Sequence, residues 1–118
     1  MTDKIDNIGI LIHYSDFPVI LAICNKLNIF RFYCPESRKG IPRNTSGVYM
    51  FINNRIPEYI GESKNIARRV REHVRYAGSQ VIYFFEENPG NRKRLETALI
   101  AAINPKGNSI NTLFGRKR

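Results

Sequence analysis

47-GVYMFINNRIPEYIGESKNIARRVREHVRY-76 is the stretch that decides the fold. GVYMFI, residues 47–52, is β-branched and aromatic and reads as a strand. Asn53-Asn54-Arg55 is a turn, and Ile56 to Gly61 is the returning strand, with Pro57 placing it near an edge or a bulge. Turn length sets the register. A two-residue turn at Asn53-Asn54 would pair Tyr49 with Glu58 and put Tyr59 on the opposite face. A three-residue turn pairs Ile52 with Ile56 and Tyr49 with Tyr59, and directly paired residues share a face. Asparagine tolerates the left-handed conformation such a turn needs, so the three-residue turn is the expectation. Ser63 then caps a helix running to about Tyr76, and Gly78 ends it.

At about 100° per residue, Ile66, Val70, Val74 and Ala77 form the apolar stripe of that helix. Lys64, Arg68, Arg71 and Arg75 fall together nearly opposite, as a phosphate-binding row or as a solvated face. Arg69 joins neither stripe. It lies with His73 and Tyr76 on a seam flanking the apolar face, where a partly desolvated guanidinium needs an anion. That anion is a substrate or a structural ion-pair partner.

Downstream, Val81–Phe85 reads as a third strand, Asn88-Pro89-Gly90 as a turn and Asn91–Ile103 as a helix stopped by Pro105-Lys106-Gly107. Leu95, Ala98, Leu99, Ala102 and Ile103 make its core side. Glu96 sits within the margin of that sector, beside Ile100 and Ile103, and a carboxylate there needs a cation. Arg92 at i−4 could supply it, or a divalent metal could. Upstream, residues 8–13 (IGILIH) read as a strand, and Ser15 or Asp16 caps a helix with Pro18 in its first turn and Val19–Leu27 as its body. Ile29–Tyr33 reads as a second strand. Residues 35–46 are a polar loop and the one internal boundary.

The 118 residues make one ordinary domain, and 42% hydrophobic content supports a modest core. A net charge of +9 points to a polyanionic partner, nucleic acid first. No apolar run is long enough to span a bilayer. The opening MTDKIDN lacks the marks of a signal peptide, so a cytoplasmic protein is expected. Cys24 and Cys34 stand in no CxxC and beside no histidine cluster, and are expected as free thiols.

Taken together, 47-GVY-49, 59-YIG-61, 63-SKNIARRVREH-73, 96-ETALI-100 and 105-PKGN-108, in this order and spacing, resemble the GIY-YIG nuclease signature, with GVY for GIY. The resemblance covers roughly residues 46–112. It implies an α+β fold, a three-stranded antiparallel sheet flanked by helices. Residues 1–45 are then an N-terminal strand-helix-strand extension, and residues 46–118 a nuclease-like domain with a basic tail, in a small stand-alone member. It also implies roles by position. Tyr49 and Tyr59 match the two motif tyrosines, and Arg69 the arginine ten residues beyond the second. His73 falls where members carry histidine or tyrosine, Glu96 matches the acidic metal ligand, and Asn108 the asparagine after the proline turn. One departure is Glu62, where some members place a lysine that helps deprotonate the first tyrosine. A carboxylate acts in the opposite sense, which leaves Lys64, the metal or His73 to take that part.

The expected chemistry is metal-dependent endonucleolytic hydrolysis of phosphodiester bonds, with DNA the family default. Glu96 would hold one Mg2+ or Mn2+ in a sparse, mostly hydrated site. Arg69 would contact the phosphate. Tyr49, assisted by His73 or Tyr59, would take a proton from the attacking water, which requires nearby cations to depress its pKa. Asn108 would fix a loop or a phosphate. The alternative is an inactive basic module that binds nucleic acid or another partner, a reading that leaves the spaced tyrosines and Glu96 unexplained.

Overall fold

The structure, a computed structural model, describes residues 11–13 and 15–108. Helix α1 (Phe17–Leu27) is followed by a two-residue strand β1 (Phe32–Tyr33) and a 3-10 turn at Arg38–Gly40. The hairpin strands β2 (Gly47–Asn53) and β3 (Ile56–Ser63) come next, then helix α2 (Ile66–Glu72) and a 3-10 turn at Val74–Tyr76. Strand β4 (Gln80–Phe85) and helix α3 (Pro89–Ile103) complete the order. The sheet is antiparallel throughout, in the order β1-β4-β2-β3. The expected three-strand core is therefore present, with β1 as a fourth strand on the β4 side.

The expected strand over residues 8–13 lies mostly outside the described residues, and Leu11 to His13 form no strand. The strand expected from Ile29 is shortened to Phe32–Tyr33. Ile29 is used instead to close α1, its amide bonding the Cys24 carbonyl at 2.9 Å behind a left-handed Asn28. Asp16 occupies the cap position of α1 without a side-chain cap bond, and Pro18 lies in the first turn as expected.

The hairpin differs from both turns considered. Asn54 and Arg55 are its two loop residues, with φ of 53° and 67°, the pattern of a type I′ turn. Asn53 therefore pairs with Ile56, and Ile52 with Pro57. A bulge at Glu58 then resets the register, so that Phe51 pairs with Tyr59 and Tyr49 with Gly61. The direct Tyr49–Tyr59 pair is not formed. The shared face survives, because Tyr49 lies two residues from Phe51, across from Tyr59.

Strand β2 is buried along almost its whole length because helices cover both sides. Val48, Met50 and Ile52 face α1 and α3, in one cluster with Ile20, Cys24, Phe32, Leu95 and Leu99. Tyr49 and Phe51 face α2, in a second cluster with Ile66, Ala67, Val70 and Tyr76. Burial pushes the Cys24 thiol up to about 12, so it acts as packing. Cys24 is a free thiol.

Helix α2 is shorter than its periodicity suggests. Asn65, not Ser63, caps it, its side chain accepting from the Arg68 amide at 3.3 Å. Ser63 ends β3, and its hydroxyl accepts from the Asn65 amide at 2.9 Å. The helix stops at His73, where ψ is 73°. Arg38 contributes to the stop from the polar loop. Its guanidinium bonds the carbonyls of Val70, Tyr76 and Ser79, fixing the chain where an α-helix would have continued. Val74, expected in the core, is consequently 76% exposed, and Tyr76 is buried in its place.

Candidate active site

Gly61 positions the Tyr49 hydroxyl. A Cβ at position 61 would overlap the Tyr49 hydroxyl and Cζ. The phenol ring thus lies across β3, the outermost strand of the sheet, and its oxygen reaches that edge. There it sits 2.9 Å from His73 Nε2. The break in the chain at His73 presents the imidazole to this oxygen. Aromatic rings enclose the imidazole, with Tyr59 at 4.9 Å, Phe51 at 5.3 Å and Tyr76 at 6.0 Å between centroids.

Burial lowers the His73 pKa from its ordinary value, and the charge of Arg69 adds to that shift. At neutral pH the ring is uncharged. Burial raises the Tyr49 pKa well above the usual phenol range, and Tyr59 pushes in the same direction. Arg69 beside the hydroxyl pulls it back only in part. The Tyr49 hydroxyl is therefore protonated, and with the imidazole proton on Nδ1 it is the donor to Nε2. Desolvation outweighs the one guanidinium, so Arg69 alone does not bring the Tyr49 pKa down.

Arg69 is half exposed, not desolvated, and pairs with Glu72 at 3.1 Å. Glu72 also holds Arg68, at 3.1 Å. Lys64, Arg68, Arg71 and Arg75 are all exposed, but only Arg68 and Arg71 lie on α2. Lys64 precedes the helix and Arg75 follows the break, so the four do not form one helical row.

Glu96 approaches from the opposite layer, on α3, with its side chain 19% exposed. Ile100 and Ile103 pack into the core beside it, as expected. Arg92 is not its partner. That guanidinium is buried against Glu62 at 3.4 Å and the Glu87 carbonyl at 2.9 Å. Among the described residues, Glu96 forms an ion pair only with the exposed Lys93, at 3.5 Å. Burial raises its pKa, and the Glu62 carboxylate adds to the rise. Its charge is felt at Tyr49, which places the two groups within electrostatic reach.

A desolvated carboxylate with so weak a partner is the donor a hard cation seeks. Among the described residues no three His, Cys, Asp or Glu side chains cluster. The residues present therefore fit a cation held by one carboxylate and completed by water and substrate.

Asn108 is buried and holds both polar atoms of one backbone residue. Its Oδ1 accepts from the Ile60 amide at 2.8 Å, and its Nδ2 donates to the Ile60 carbonyl at 2.9 Å. It fixes the turn after α3 to β3, next to Tyr59 and Gly61. Arg38, Phe51, Glu72 and the Glu62–Arg92 pair escaped the sequence reading. For Glu72 the i+3 spacing from Arg69 was the available signal. For Arg38 there was none.

The GIY-YIG catalytic domain family matches residues 45–111, more than half of the chain, and the chain belongs to that family. Solved structures of the GIY-YIG N-terminal endonuclease domain of UvrC from Thermotoga maritima align over 59% of this chain and 91% of theirs, at a TM-score of 0.52. Two are tyrosine-to-phenylalanine variants, 28% and 26% identical to this chain, and a third is an asparagine-to-alanine variant, 28% identical. Each is bound to its catalytic divalent cation. No curated protein matches the chain. No helix among the described residues is long and apolar enough to cross a membrane.

Proposed function

We propose that this chain is a divalent-cation-dependent endonuclease that hydrolyses phosphodiester bonds in nucleic acid, with DNA as the substrate. The observation that carries the reading is the 2.9 Å hydrogen bond between the Tyr49 hydroxyl and His73 Nε2, with Arg69 beside it. A protonated phenol is a poor base alone. Bonded to a neutral imidazole, it can accept a proton from water on oxygen while passing its own to Nε2. Arg69 would swing from Glu72 to the phosphate and stabilise the charge that develops there. Tyr59, its ring packed at a tilt against His73, would keep the imidazole aimed at Tyr49.

Glu96 would hold Mg2+ or Mn2+, with Glu62 kept aside by Arg92. When bound, the cation would supply polarisation of the phosphate and charge balance for the leaving 3′ oxygen. Asn108 would be a positioning residue, acting through Ile60. Lys64, Arg68, Arg71 and Arg75 would meet backbone phosphates. Residues 46–118 would carry the chemistry in the cytoplasm, and residues 1–45 an extension whose described part shares the α1–α3 core.

The test is incubation with supercoiled plasmid, branched DNA and structured RNA in Mn2+, in Mg2+ and in EDTA. Cation-dependent nicking of DNA that Tyr49→Phe abolishes is the expected result. Binding of all three without cleavage under any condition would leave the inactive binding module as the reading.

A further inference from the structure

We propose that the groove between the turn after α3 and the Tyr76–Ser79 loop is a second phosphate subsite, binding the substrate backbone beside the scissile position. The substrate is that of the nuclease reading, on which this assignment rests. The groove has a volume of about 350 Å3, at the low end for small-ligand pockets, and admits a phosphate and sugar but not a duplex. Arg75 enters it from the 3-10 turn and Lys106 from the turn after α3, both exposed. Ser79, Asn53 and the backbone at Gly78 add neutral polar groups. Glu58 is the single lining acid and is bonded to the Ser79 hydroxyl at 3.2 Å. The three lining charges leave a surplus of one cation, brought together from separate elements.

The walls are fixed before any ligand arrives. Tyr76 stacks on Phe51 at 4.9 Å and on Tyr59 at 5.6 Å. Gly107 is buried so tightly that a Cβ there would overlap the Tyr76 hydroxyl and lie 2.6 Å from the Glu58 carbonyl. Arg38 holds the carbonyls of Tyr76 and Ser79 from behind, and Asn108 anchors the turn that carries Lys106. Two cations on rigid walls repel one another across an empty groove, and an anion between them removes that cost.

The groove also adjoins the catalytic cluster. Tyr59 stacks on Tyr76 on one side and meets the His73 ring at a tilt on the other. A strand with one phosphate at Arg69 and His73 can therefore place a neighbouring phosphate past the Tyr59–Tyr76 pair. This explains why Arg75 leaves the α2 face. It gives Lys106 a task that the motif residues do not.

Binding of a labelled oligonucleotide to the full chain, followed by anisotropy in EDTA across a KCl series, tests the assignment. Nothing lies within 4 Å of a Cβ built at Gly78, so Gly78→Glu puts a carboxylate at the groove without a clash. Gly78→Glu and Lys106→Ala should each weaken binding about fivefold, and Lys106→Ala should lower the log–log salt slope by about 0.7–0.9. Glu58→Gln should tighten binding, whereas Glu87→Gln, outside the groove, should tighten it less. Arg71→Ala serves as the reference for a contact on α2. Unchanged affinity and slope in both Lys106→Ala and Gly78→Glu, with a loss in Arg71→Ala, would overturn the subsite. Because EDTA removes cleavage from the measurement, a protein that binds as described yet never cleaves in Mn2+ would refute the nuclease reading and leave the groove standing.

Discussion

The two faces of the sheet are equally buried and chemically unlike. The α1–α3 face holds Val48, Met50, Ile52, Ile60, Ile82 and Phe84 against aliphatic helix residues. The α2 face holds Tyr49, Phe51, Tyr59, Tyr76 and Tyr83, with His73 set among them. Alternate residues of one strand, β2, feed both. An aliphatic interior can only exclude water, and its contribution is stability. An interior of phenols and imidazole costs desolvation, and it returns groups whose protonation is displaced from their ordinary range. Burial is thus used for cohesion on one face and for pKa adjustment on the other. Glu96 projects from the cohesive layer and is felt at the hydroxyl of the other, around the β3 edge where Gly61 leaves room.

The largest expected effect separates two carboxylates that α3 brings near each other. Glu96→Gln should abolish cation-dependent cleavage. It should also leave thermal stability unchanged or slightly higher. A carboxyl whose folded pKa is raised contributes stability that is lost as pH rises through that pKa, so its charge is a burden at neutral pH. Glu62→Gln should do the reverse. It strands the buried Arg92 guanidinium and should cost about 2 kcal/mol or more. Midpoints and nicking rates for the two variants check both halves. A fully active Glu96→Gln would remove the cation from that residue.

Next in size are changes on the α2 face. Tyr49→Phe keeps the ring in its pocket and loses one hydrogen bond, about 1 kcal/mol of stability, while cleavage falls by about 10²–10⁴. Leu99→Ala on the other face should cost about 2–5 kcal/mol of stability and spare the rate per folded molecule. Comparable losses of rate in the two would mean that the faces are not divided as described. Arg69→Ala should lower the single-turnover rate about a hundredfold, about 3 kcal/mol, with binding largely kept. The pH profile sharpens the same point. If His73 accepts the proton, the rate must fall on the acid side as the imidazole charges, with a midpoint below the ordinary 6.5 because its pKa is lowered. A midpoint above that value would exclude His73 as acceptor.

Local chemistry was legible in the sequence and long-range pairing was not. The strand and turn character of residues 47–61 and the conspicuous positions of Glu96 and Arg69 follow from side-chain type and period, whereas α3 starts at Pro89 behind an Asn88 cap, two residues before the expected Asn91. The register did not, because a bulge at Glu58 and a turn shifted by one residue are set by packing on both faces of the hairpin. The end of α2 did not, because Arg38, more than thirty residues away, supplies the donors that fix the chain there. The i−4 spacing offers Arg92 as one of two possible partners for Glu96, the other being a metal. A partner on β3 won, since Glu62 could meet a guanidinium already buried at the α3–β3 contact. The resemblance placed Tyr49 and His73 together; the reason their protons sit as they do is burial, which spacing does not express.

The smallest expected effect concerns Arg68 and Arg71, neighbours on α2 with the same exposure and different company. Arg68 is bonded to Glu72 at 3.1 Å, whereas Arg71 makes no ion pair among the described residues. An exposed pair of this kind is worth about 0.2–1 kcal/mol, so Arg68 must give up part of any gain when it turns to a phosphate. Arg71 gives up nothing. Arg71→Ala should therefore weaken nucleic-acid binding more than Arg68→Ala, and lower the salt slope by about 0.7–0.9. Glu72→Gln should free Arg68 and Arg69 together, tightening binding in EDTA. The difference between the two arginine variants should shrink in that background, because the competing carboxylate charge is gone. A salt titration of the wild type, the three single variants and the two arginine variants in the Glu72→Gln background reads all of this at once. Equal losses for Arg68→Ala and Arg71→Ala, unchanged by Glu72→Gln, would mean that Glu72 does not compete with substrate and that Arg69 is held from the phosphate by something other than this carboxylate.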